Sequence, residues 1–230
     1  MSTSTKQTVV ITGTSRGIGL AMTKIFKQRG CKVFALCRQS SEALNALDVN
    51  VIEGIELSTP QGINNAKSAL AGITIDLLIN NAGILRNERL NSLDNNTILE
   101  QFTVNALAPL LLSEALLLNL TAGSKIAFIT SRMGSITDNE SGGYYGYRMS
   151  KAALNSAAVS LAKDLNEHNI SIGIYHPGYV QTDMVNSDGN LIHGDISAKE
   201  AAQRLILLTD DQTMAKSGVF KHANGQSLAW

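Results

Sequence analysis

The chain has 230 residues, of which 44% are hydrophobic and 17% charged, and its 19 basic and 19 acidic side chains balance to zero net charge. A nucleic-acid or membrane-surface binder usually carries a basic excess, and a disordered chain combines few aliphatic residues with high net charge. The composition therefore favours a globular protein with neither nucleic acid nor membrane as a partner. The length predicts one domain over residues 1–230, large enough to hold a core without disulfides or metal.

The two cysteines predict a reducing environment. Cys31 and Cys37 are six residues apart on one extended segment, where about 3.3 Å per residue separates them beyond bridging distance. Free thiols and an N-terminus without an apolar secretory stretch predict a cytoplasmic location. The longest apolar stretch, residues 106–118, is interrupted by polar residues and is too short to span a membrane. The four scattered histidines and two cysteines offer no zinc-ligand spacing, so no metal is expected.

Short β-branched runs alternate with longer amphipathic segments along the chain. Strands are predicted at residues 8–12, 32–36, 51–57, 75–80, 125–130, 170–175 and 218–222. Helices are predicted at residues 17–29, 41–47, 60–71, 94–118, 145–168 and 198–208. Because the strands are apolar at consecutive positions, both of their faces are expected to be buried, which is typical of a parallel sheet covered by helices. The sequence thus predicts a doubly wound α/β fold whose ligand lies outside the carboxyl ends of the strands.

A glycine-rich turn follows the first predicted strand and leads into an amphipathic helix. It reads Gly13-Thr14-Ser15-Arg16-Gly17-Ile18-Gly19. Glycines here let backbone amides approach a pyrophosphate, and the helix N-terminus adds positive potential. A glycine-rich turn without a ligand is the alternative interpretation. The spacing differs from the common G-x-G-x-x-G and resembles the short-chain dehydrogenase/reductase family, whose first turn reads T-G-x-x-x-G-x-G.

The resemblance covers essentially the whole chain, because five motifs occur in the order that the family has them. It implies a three-layer Rossmann-type sheet of about seven strands in the order 3-2-1-4-5-6-7, with helices on both faces. Two stretches are most similar to the branch that holds C-factor-like proteins and sniffer-type carbonyl reductases. These stretches are Y-Y-G-Y-R-M-S-K-A-A-L-N at residues 144–155 and S-R-M-G-S-I at residues 131–136.

The end of the second predicted strand indicates which dinucleotide is bound. An NAD-selective site usually has a carboxylate there for the ribose 2′-hydroxyl, whereas this strand is followed by Cys37 and Arg38. The Arg38 guanidinium can pair with a 2′-phosphate, and Arg16 can approach the same phosphate from the glycine turn. The sequence therefore favours NADP(H) over NAD(H), with two ordinary surface arginines as the alternative.

The resemblance assigns further positions to the cofactor. They are Glu56, Leu57, Asn81, Ala82, Gly83, Val104, Pro177, Gly178, Val180 and Thr182. Glu56 ends the third predicted strand where the family commonly has an aspartate that contacts adenine, so it is a departure. The run Asn80-Asn81-Ala82-Gly83 takes the place that the family puts beside the adenine ribose, with a plain strand-ending turn as the alternative. The P-G-x-V-x-T run at residues 177–182 resembles the turn that holds the nicotinamide carboxamide. His176, just before it, is interpreted as structural rather than as a catalytic base.

A tyrosine and a lysine stand four residues apart on the fifth predicted helix. An ordinary tyrosine, with a pKa of about 10, is a poor acid or base at neutral pH, and a nearby ammonium favours the phenolate. Tyr144 and Tyr145 have no lysine four positions on, so the pair is Tyr147 with Lys151. We expect the lysine to lower the pKa of the tyrosine. The resemblance implies that Tyr147 is the general acid in reduction and that Lys151 also anchors the ribose.

Two further residues complete the reacting centre that the resemblance implies. Ser131 ends the fifth predicted strand and would donate to the carbonyl oxygen, although Thr130 and Ser135 are neighbours with similar hydroxyls. Asn105 interrupts an apolar helix face four residues before Pro109, which lacks an N–H, so the helix is expected to kink there. In the family an asparagine at this place holds a water that links the lysine to solvent. A kinked packing helix is the alternative.

The substrate is expected to be a small or medium carbonyl compound or alcohol. Candidate substrate contacts are Ser131, Met133, Tyr144, Tyr147 and Tyr179, together with a short segment after Thr182. The predicted function is NADP(H)-dependent hydride transfer; the alternative is an NADP(H)-binding regulatory or signalling protein on the same scaffold. An epimerase or dehydratase of the extended branch usually needs a larger C-terminal domain, for which the chain has no room. The family further implies a homodimer or homotetramer built on the fourth and fifth helices.

Overall fold

The computed structural model describes residues 6–185, 191, 192 and 194–230. In this part of the chain the strands are β1 Thr8–Thr12, β2 Lys32–Leu36, β3 Asn50–Ile52, β4 Ile75–Asn80, β5 Leu120–Ile129, β6 Ser171–His176, β7 Val180–Val185, β8 Leu191–Ile192, β9 Ile196–Ser197 and β10 Phe220–His222. The α-helices are α1 Gly17–Gln28, α2 Glu42–Asn45, α3 Pro60–Ala69, α4 Asn95–Phe102, α5 Ala108–Ala115, α6 Tyr145–Asp164 and α7 Ala198–Asp210. A π-helical segment, Thr103–Leu107, joins α4 to α5.

Seven strands form one parallel sheet in the order β10-β6-β5-β4-β1-β2-β3. With β10 as the seventh strand of this sheet, the predicted order 3-2-1-4-5-6-7 and the Rossmann-type fold are confirmed. β1 is central, because Val9 lies opposite Val33 of β2 and Leu77 of β4. A smaller sheet, in the order β8-β7-β9, lies beyond the carboxyl end of β6.

The sheet is covered on both faces, as the consecutive apolar residues of its strands predicted. Side chains alternate along a strand, so Val10 packs on one face while Val9 and Ile11 pack on the other, all fully buried. The first face is covered by residues of α3, α5 and α6, and the second by residues of α1 and α7. Because both faces are occupied, polar chemistry is left to the strand ends.

The third predicted strand is wrong in length. It was expected at residues 51–57, but β3 ends at Ile52, and Gly54 follows with a left-handed φ of +72° that ends the extended run. Glu56 and Leu57 therefore lie in the turn before α3 rather than at a strand end.

The fourth predicted helix, residues 94–118, is divided. The expected kink near Asn105 takes the form of the π-helical segment, after which Pro109 stands in the first turn of α5. A proline there removes no hydrogen bond that the new α-helical turn needs.

Cys31 is half-buried, Cys37 is buried, and both are free thiols as predicted. Within the described residues, no helix is both long and apolar enough to cross a bilayer.

Candidate active site

The glycine turn and the Asn81–Gly83 segment meet where β1 and β4 end. The Thr12 hydroxyl accepts hydrogen bonds from the amides of Asn81 and Ala82, both at 3.0 Å, and Asn81 Nδ2 donates to the Thr12 carbonyl at 2.9 Å. Gly13 has a φ of +70°, and a Cβ on it would lie 2.9 Å from the Cα of Ala82. The close approach of the two segments thus requires a glycine at position 13.

In the glycine turn, the side-chain hydroxyls bind the protein itself, while the first backbone amides of α1 are left for a ligand. Thr14 Oγ1 donates to the Leu36 carbonyl at 3.2 Å, and Ser15 Oγ donates to the Gln39 carbonyl. α1, which begins at Gly17, has no side-chain cap and no acidic residue in its first turn. The hydroxyls therefore hold the turn to β2, while the first amides of α1 remain donors for an anion. This cradle fits the diphosphate of a dinucleotide.

Arg38, which was expected to read the 2′-phosphate, already has an acidic neighbour. Its Nη1 lies 3.5 Å from Glu56 Oε2, while Glu56 Oε1 accepts from the Ser58 hydroxyl at 2.8 Å. Burial opposes ionisation of Glu56, but the bonds from Ser58 and the charge of Arg38 keep its pKa below the ordinary value. Arg38 and Arg16 are both exposed. The glutamate predicted to contact adenine is therefore paired with the arginine predicted to select the cofactor.

Tyr147 and Lys151 lie together on the buried face of α6. Lys151 Nζ is 5.7 Å from the centre of the Tyr147 ring and donates to the Ile129 carbonyl at 3.0 Å. Burial raises the pKa of Tyr147 to about 12, with a contact from Ser131 acting in the opposite direction. Burial also lowers the pKa of Lys151 to about 8. The pKa of Tyr147 therefore lies above its ordinary value rather than below it as expected, because desolvation by burial outweighs the hydrogen bond from Ser131.

Of the three neighbouring hydroxyls, Ser131 is the one that contacts Tyr147. Its Oγ accepts from the Met133 amide at 3.1 Å, which leaves its own proton for donation. Thr130 Oγ1 donates to Asn155 Oδ1 at 2.7 Å. Ser135 Oγ accepts from the Asp138 amide at 3.1 Å, which holds the long loop before α6.

Asn105 is buried in the π-helical segment and binds the chain that follows β4. Its Oδ1 accepts from the Ile84 amide at 2.8 Å, and its Nδ2 donates to the Ile84 carbonyl at 2.8 Å and to Ser150 Oγ at 3.0 Å. A Cβ on Gly83 would be 3.2 Å from Asn105 Oδ1 and 3.6 Å from Lys151 Nζ. Gly83 thus lies beside both groups, and its small size keeps them close. Val104, next to Asn105, is half-buried.

The predicted carboxamide turn follows β6. Gly178 has a φ of +95°, and a Cβ there would be 3.2 Å from Ile196 of β9. Pro177 is half-buried and Val180 is buried, whereas the side chain of Thr182 lies outside what the structure describes. His176 packs edge-on to His222 at 5.0 Å between ring centres, and burial next to that second histidine lowers its pKa to about 3. The half-buried imidazole is therefore neutral at ordinary pH, and its structural role stays a prediction.

The remaining substrate candidates are less uniform. Met133 and Tyr144 are half-buried, while Tyr179 is 56% exposed.

Sequence reasoning missed Glu88 and Gln101, a buried polar pair beside the start of α6. No local spacing could have found them, because Glu88 contacts a residue 58 positions away. In the described residues, no group of three or more His, Cys, Asp or Glu side chains is placed to hold a metal ion.

Comparison with known proteins places the chain in a family. The family model described as short chain dehydrogenase matches residues 7–190. The chain belongs to the short-chain dehydrogenase/reductase family. It is 34% identical over 225 residues to 1-hydroxy-2-glutathionyl-2-methyl-3-butene dehydrogenase of Rhodococcus sp. (strain AD45), covering 97% of this chain and 99% of that one.

Three further comparisons refine the relationship. The chain is 38% identical over 159 residues to C-signal of Myxococcus xanthus, covering 68% of this chain and 93% of C-signal. An NADPH-bound carbonyl reductase from chicken fatty liver superposes with a TM-score of 0.86 at 29% identity, over 98% of this chain and 99% of that one. Sniffer carbonyl reductases are also among the matching structures. The branch expected from the sequence is thus confirmed.

Replacing Lys151 with methionine is expected to raise the stability of the protein at pH 7. Because burial lowers the lysine pKa from 10.5 to about 8, keeping the ammonium buried costs on the order of 3 kcal/mol below pH 8. The cost disappears as the pH rises from about 8 to 10.5, where the unfolded chain alone still binds the proton. Thermal unfolding at pH 7 and pH 10 should show a higher Tm for Lys151→Met at pH 7 and little difference at pH 10.

The control is Lys163→Met, which changes an exposed lysine of the same helix and should not raise the Tm at either pH. An equal Tm for Lys151→Met and the unchanged protein at pH 7 would contradict the buried, destabilised ammonium.

Proposed function

We propose that this member of the family is an NADP(H)-dependent oxidoreductase that transfers a hydride between nicotinamide and a small or medium carbonyl or alcohol substrate. The observation that carries the proposal is the buried pair of Tyr147 and Lys151, with Ser131 beside it, at the edge of the sheet where the glycine turn also lies. A protein that only binds a dinucleotide has no need for a buried tyrosine and lysine of this kind.

The residues present suit the cofactor. When bound, it supplies the hydride at the nicotinamide ring. Gly13 and the uncapped start of α1 suit the diphosphate, while Arg16 and Arg38 are exposed cations of the kind that would pair with a 2′-phosphate. The NADPH-bound chicken reductase, which shares the fold over nearly its whole length, supports the same choice.

In the proposed reduction, Tyr147 holds the proton that the carbonyl oxygen receives. With a pKa of about 12 the phenol carries its proton at neutral pH, as a general acid must, and burial makes it a weaker acid than an ordinary tyrosine. Ser131 donates a hydrogen bond to the same oxygen and stabilises the charge that develops there. Lys151 is fixed by the Ile129 carbonyl and retains further N–H groups for a ribose hydroxyl. Because the side chain of Asn105 is already engaged with Ile84 and Ser150, a relay water would be held by its main chain.

We infer a cytoplasmic protein that forms a homodimer or homotetramer. Support for the assembly comes from exposed apolar side chains on the helices that the family uses for it, at Leu99, Phe102, Leu107, Leu111 and Met149. Size-exclusion chromatography measures the state directly.

Replacing Tyr147 with phenylalanine tests whether the protein is an enzyme. Removing the proposed proton donor is expected to lower kcat for NADPH-dependent carbonyl reduction by about 10²- to 10⁴-fold, with NADPH affinity retained. The assay follows NADPH absorbance over a panel of aldehydes and ketones and includes, in the oxidation direction, an alcohol of the kind named for the Rhodococcus relative.

A matched control is Tyr145→Phe, two residues earlier on the same helix, which should leave turnover unchanged. If the unchanged protein binds NADPH but turns over nothing on the panel, the regulatory alternative, to which the similarity with C-signal points, replaces the enzyme.

Exchanging Arg38 for aspartate tests the cofactor choice. Loss of the cation and its replacement by a carboxylate are expected to raise KM for NADPH by about 10- to 100-fold and to lower KM for NADH. Steady-state kinetics with both cofactors measure the change. Glu56→Gln is the companion variant: it frees Arg38 from its acidic neighbour and should lower KM for NADPH by a few-fold. Unchanged NADPH preference in Arg38→Asp would assign the selection to other residues.

A further inference from the structure

A buried carboxylate lies beside the start of α6, outside the groups that the proposed reaction uses. Glu88 is only 3% exposed. Its Oε1 accepts hydrogen bonds from Gln101 Nε2 at 2.6 Å and Thr97 Oγ1 at 2.8 Å, and its Oε2 accepts from the Gly146 amide at 3.1 Å. An unpaired buried charge is costly, and none of the salt bridges between described residues includes Glu88. The three donors are what allow the carboxylate to stay buried.

The start of α6 lacks a cap of its own. Its N-cap residue, Tyr144, has a left-handed φ of +51° and makes no side-chain cap, and the first turn contains no acidic residue. Glu88 supplies both kinds of contact from outside the helix. Its carbonyl accepts from the Tyr144 amide at 2.9 Å, and its carboxylate accepts from the Gly146 amide. A negative charge at a helix N-terminus is stabilising, because it satisfies free amides and faces the positive end of the helix dipole.

The surrounding residues are adapted to this contact. Gln101 accepts from the Arg86 amide at 2.7 Å through Oε1, so its NH₂ group is turned toward Glu88. A Cβ on Gly146 would be 2.5 Å from Gln101 Nε2 and 3.1 Å from Glu88 Oε1. A glycine at position 146 is therefore what lets α6 approach the carboxylate.

The contact with Glu88 is one of two that hold α6 on either side of Tyr147. Before the tyrosine, the Gly146 amide binds Glu88. After it, Ser150 Oγ accepts from Asn105 and donates to the Tyr147 carbonyl at 2.8 Å. Glu88 and Ile84, the second residue that Asn105 binds, belong to one short segment that passes between α4 and α6. This segment thus fixes the turn of helix that carries the reacting phenol.

We propose that Glu88 is a positioning residue for Tyr147: as an external cap it holds the first turn of α6 so that the phenol faces Ser131 and the substrate. The inference rests on the proposed function, in which Tyr147 is the proton donor. Its physical basis is that a displacement of about 1 Å of a reacting group can cost on the order of 10²-fold in rate.

The test is the variant Glu88→Gln. An amide can accept only through its oxygen, so its NH₂ group must face a donor, either Gln101 Nε2 or the Gly146 amide. We expect kcat for carbonyl reduction to fall about 10- to 100-fold while KM for NADPH changes less than about 2-fold, because Tyr147 follows Gly146 directly whereas the Lys151 ammonium is held separately by the Ile129 carbonyl. Glu100→Gln removes an exposed carboxylate of α4 that is paired with Arg86 at 3.1 Å, and it should change neither value.

A double variant separates positioning from simple loss of stability. Glu88→Gln combined with Gln101→Glu exchanges the donor and the acceptor, so the new amide donates to the new carboxylate and still accepts from the Gly146 amide, while the bond from Gln101 Nε2 to the Thr97 carbonyl at 3.2 Å is lost. We therefore expect a partial recovery, with kcat at least about 3-fold above that of the single variant. The proposal is overturned if folded Glu88→Gln keeps its kcat, or if the double variant remains as slow as the single one.

If Glu88→Gln does not fold, a milder variant takes its place. Thr97→Val removes one of the three donors to the carboxylate and should lower kcat about 3- to 10-fold; an unchanged kcat would overturn the proposal equally.

Hydrogen exchange distinguishes failure of this inference from failure of the proposed function. Amides of residues 144–151 should exchange faster in Glu88→Gln and recover in the double variant, whether or not a substrate is known. If the unchanged protein turns over no carbonyl compound, the proposed function fails while exchange still reports the cap. If the protein is active and neither kcat nor exchange responds to Glu88→Gln, the cap fails and the proposed function stands.

Discussion

The side chain of Asn105 joins the three segments on which the site depends. Through reciprocal hydrogen bonds with Ile84 and a third bond to Ser150, it fixes the chain after β4 against the π-helical segment and α6. All of these groups are buried or half-buried, and a buried donor or acceptor left without a partner costs about 1–3 kcal/mol. The arrangement therefore has little freedom to relax. Gly83 lies beside this cluster, where a Cβ would be 3.2 Å from Asn105 Oδ1 and 3.6 Å from Lys151 Nζ.

The parallel sheet explains why such a polar cluster lies where it does. Both faces of the sheet are filled by apolar side chains, so polar groups gather only beyond the strand ends. The strands β1, β4 and β5 end side by side, and the glycine turn, the Asn81–Gly83 segment and Ser131 follow them in turn. Their closeness is a consequence of strand order. Arg16 and Arg38 follow the neighbouring strands β1 and β2, so both cations lie at the same edge of the sheet although the chain as a whole has zero net charge.

The features that sequence reasoning predicted well are those with a local physical signature. The glycine turn depends on residues a few positions apart, and a four-residue spacing suffices to place Tyr147 and Lys151 on one helix face. The failures are tertiary. Gly54 ends β3 early and moves Glu56 toward Arg38, which no strand pattern reports. A glutamate such as Glu88 is normally expected at the surface. It is buried here because the start of α6, 58 residues further along the chain, packs against it and donates a hydrogen bond to it.

The pKa of Tyr147 shows most clearly why spacing alone was insufficient. Spacing supplies the attraction between phenolate and ammonium, but burial acts on both groups at once and opposes both charges. It leaves the phenol with a pKa of about 12 and the lysine with a pKa of about 8, so at neutral pH the tyrosine carries its proton. That protonation state is the one that carbonyl reduction needs. Alcohol oxidation needs the phenolate instead, so in that direction the rate should rise with pH as the proton becomes easier to remove. An ordinary tyrosine, with a pKa of about 10, also carries its proton at neutral pH, so burial alone does not select the reductive direction; it makes proton transfer in either direction depend on the charges around the phenol.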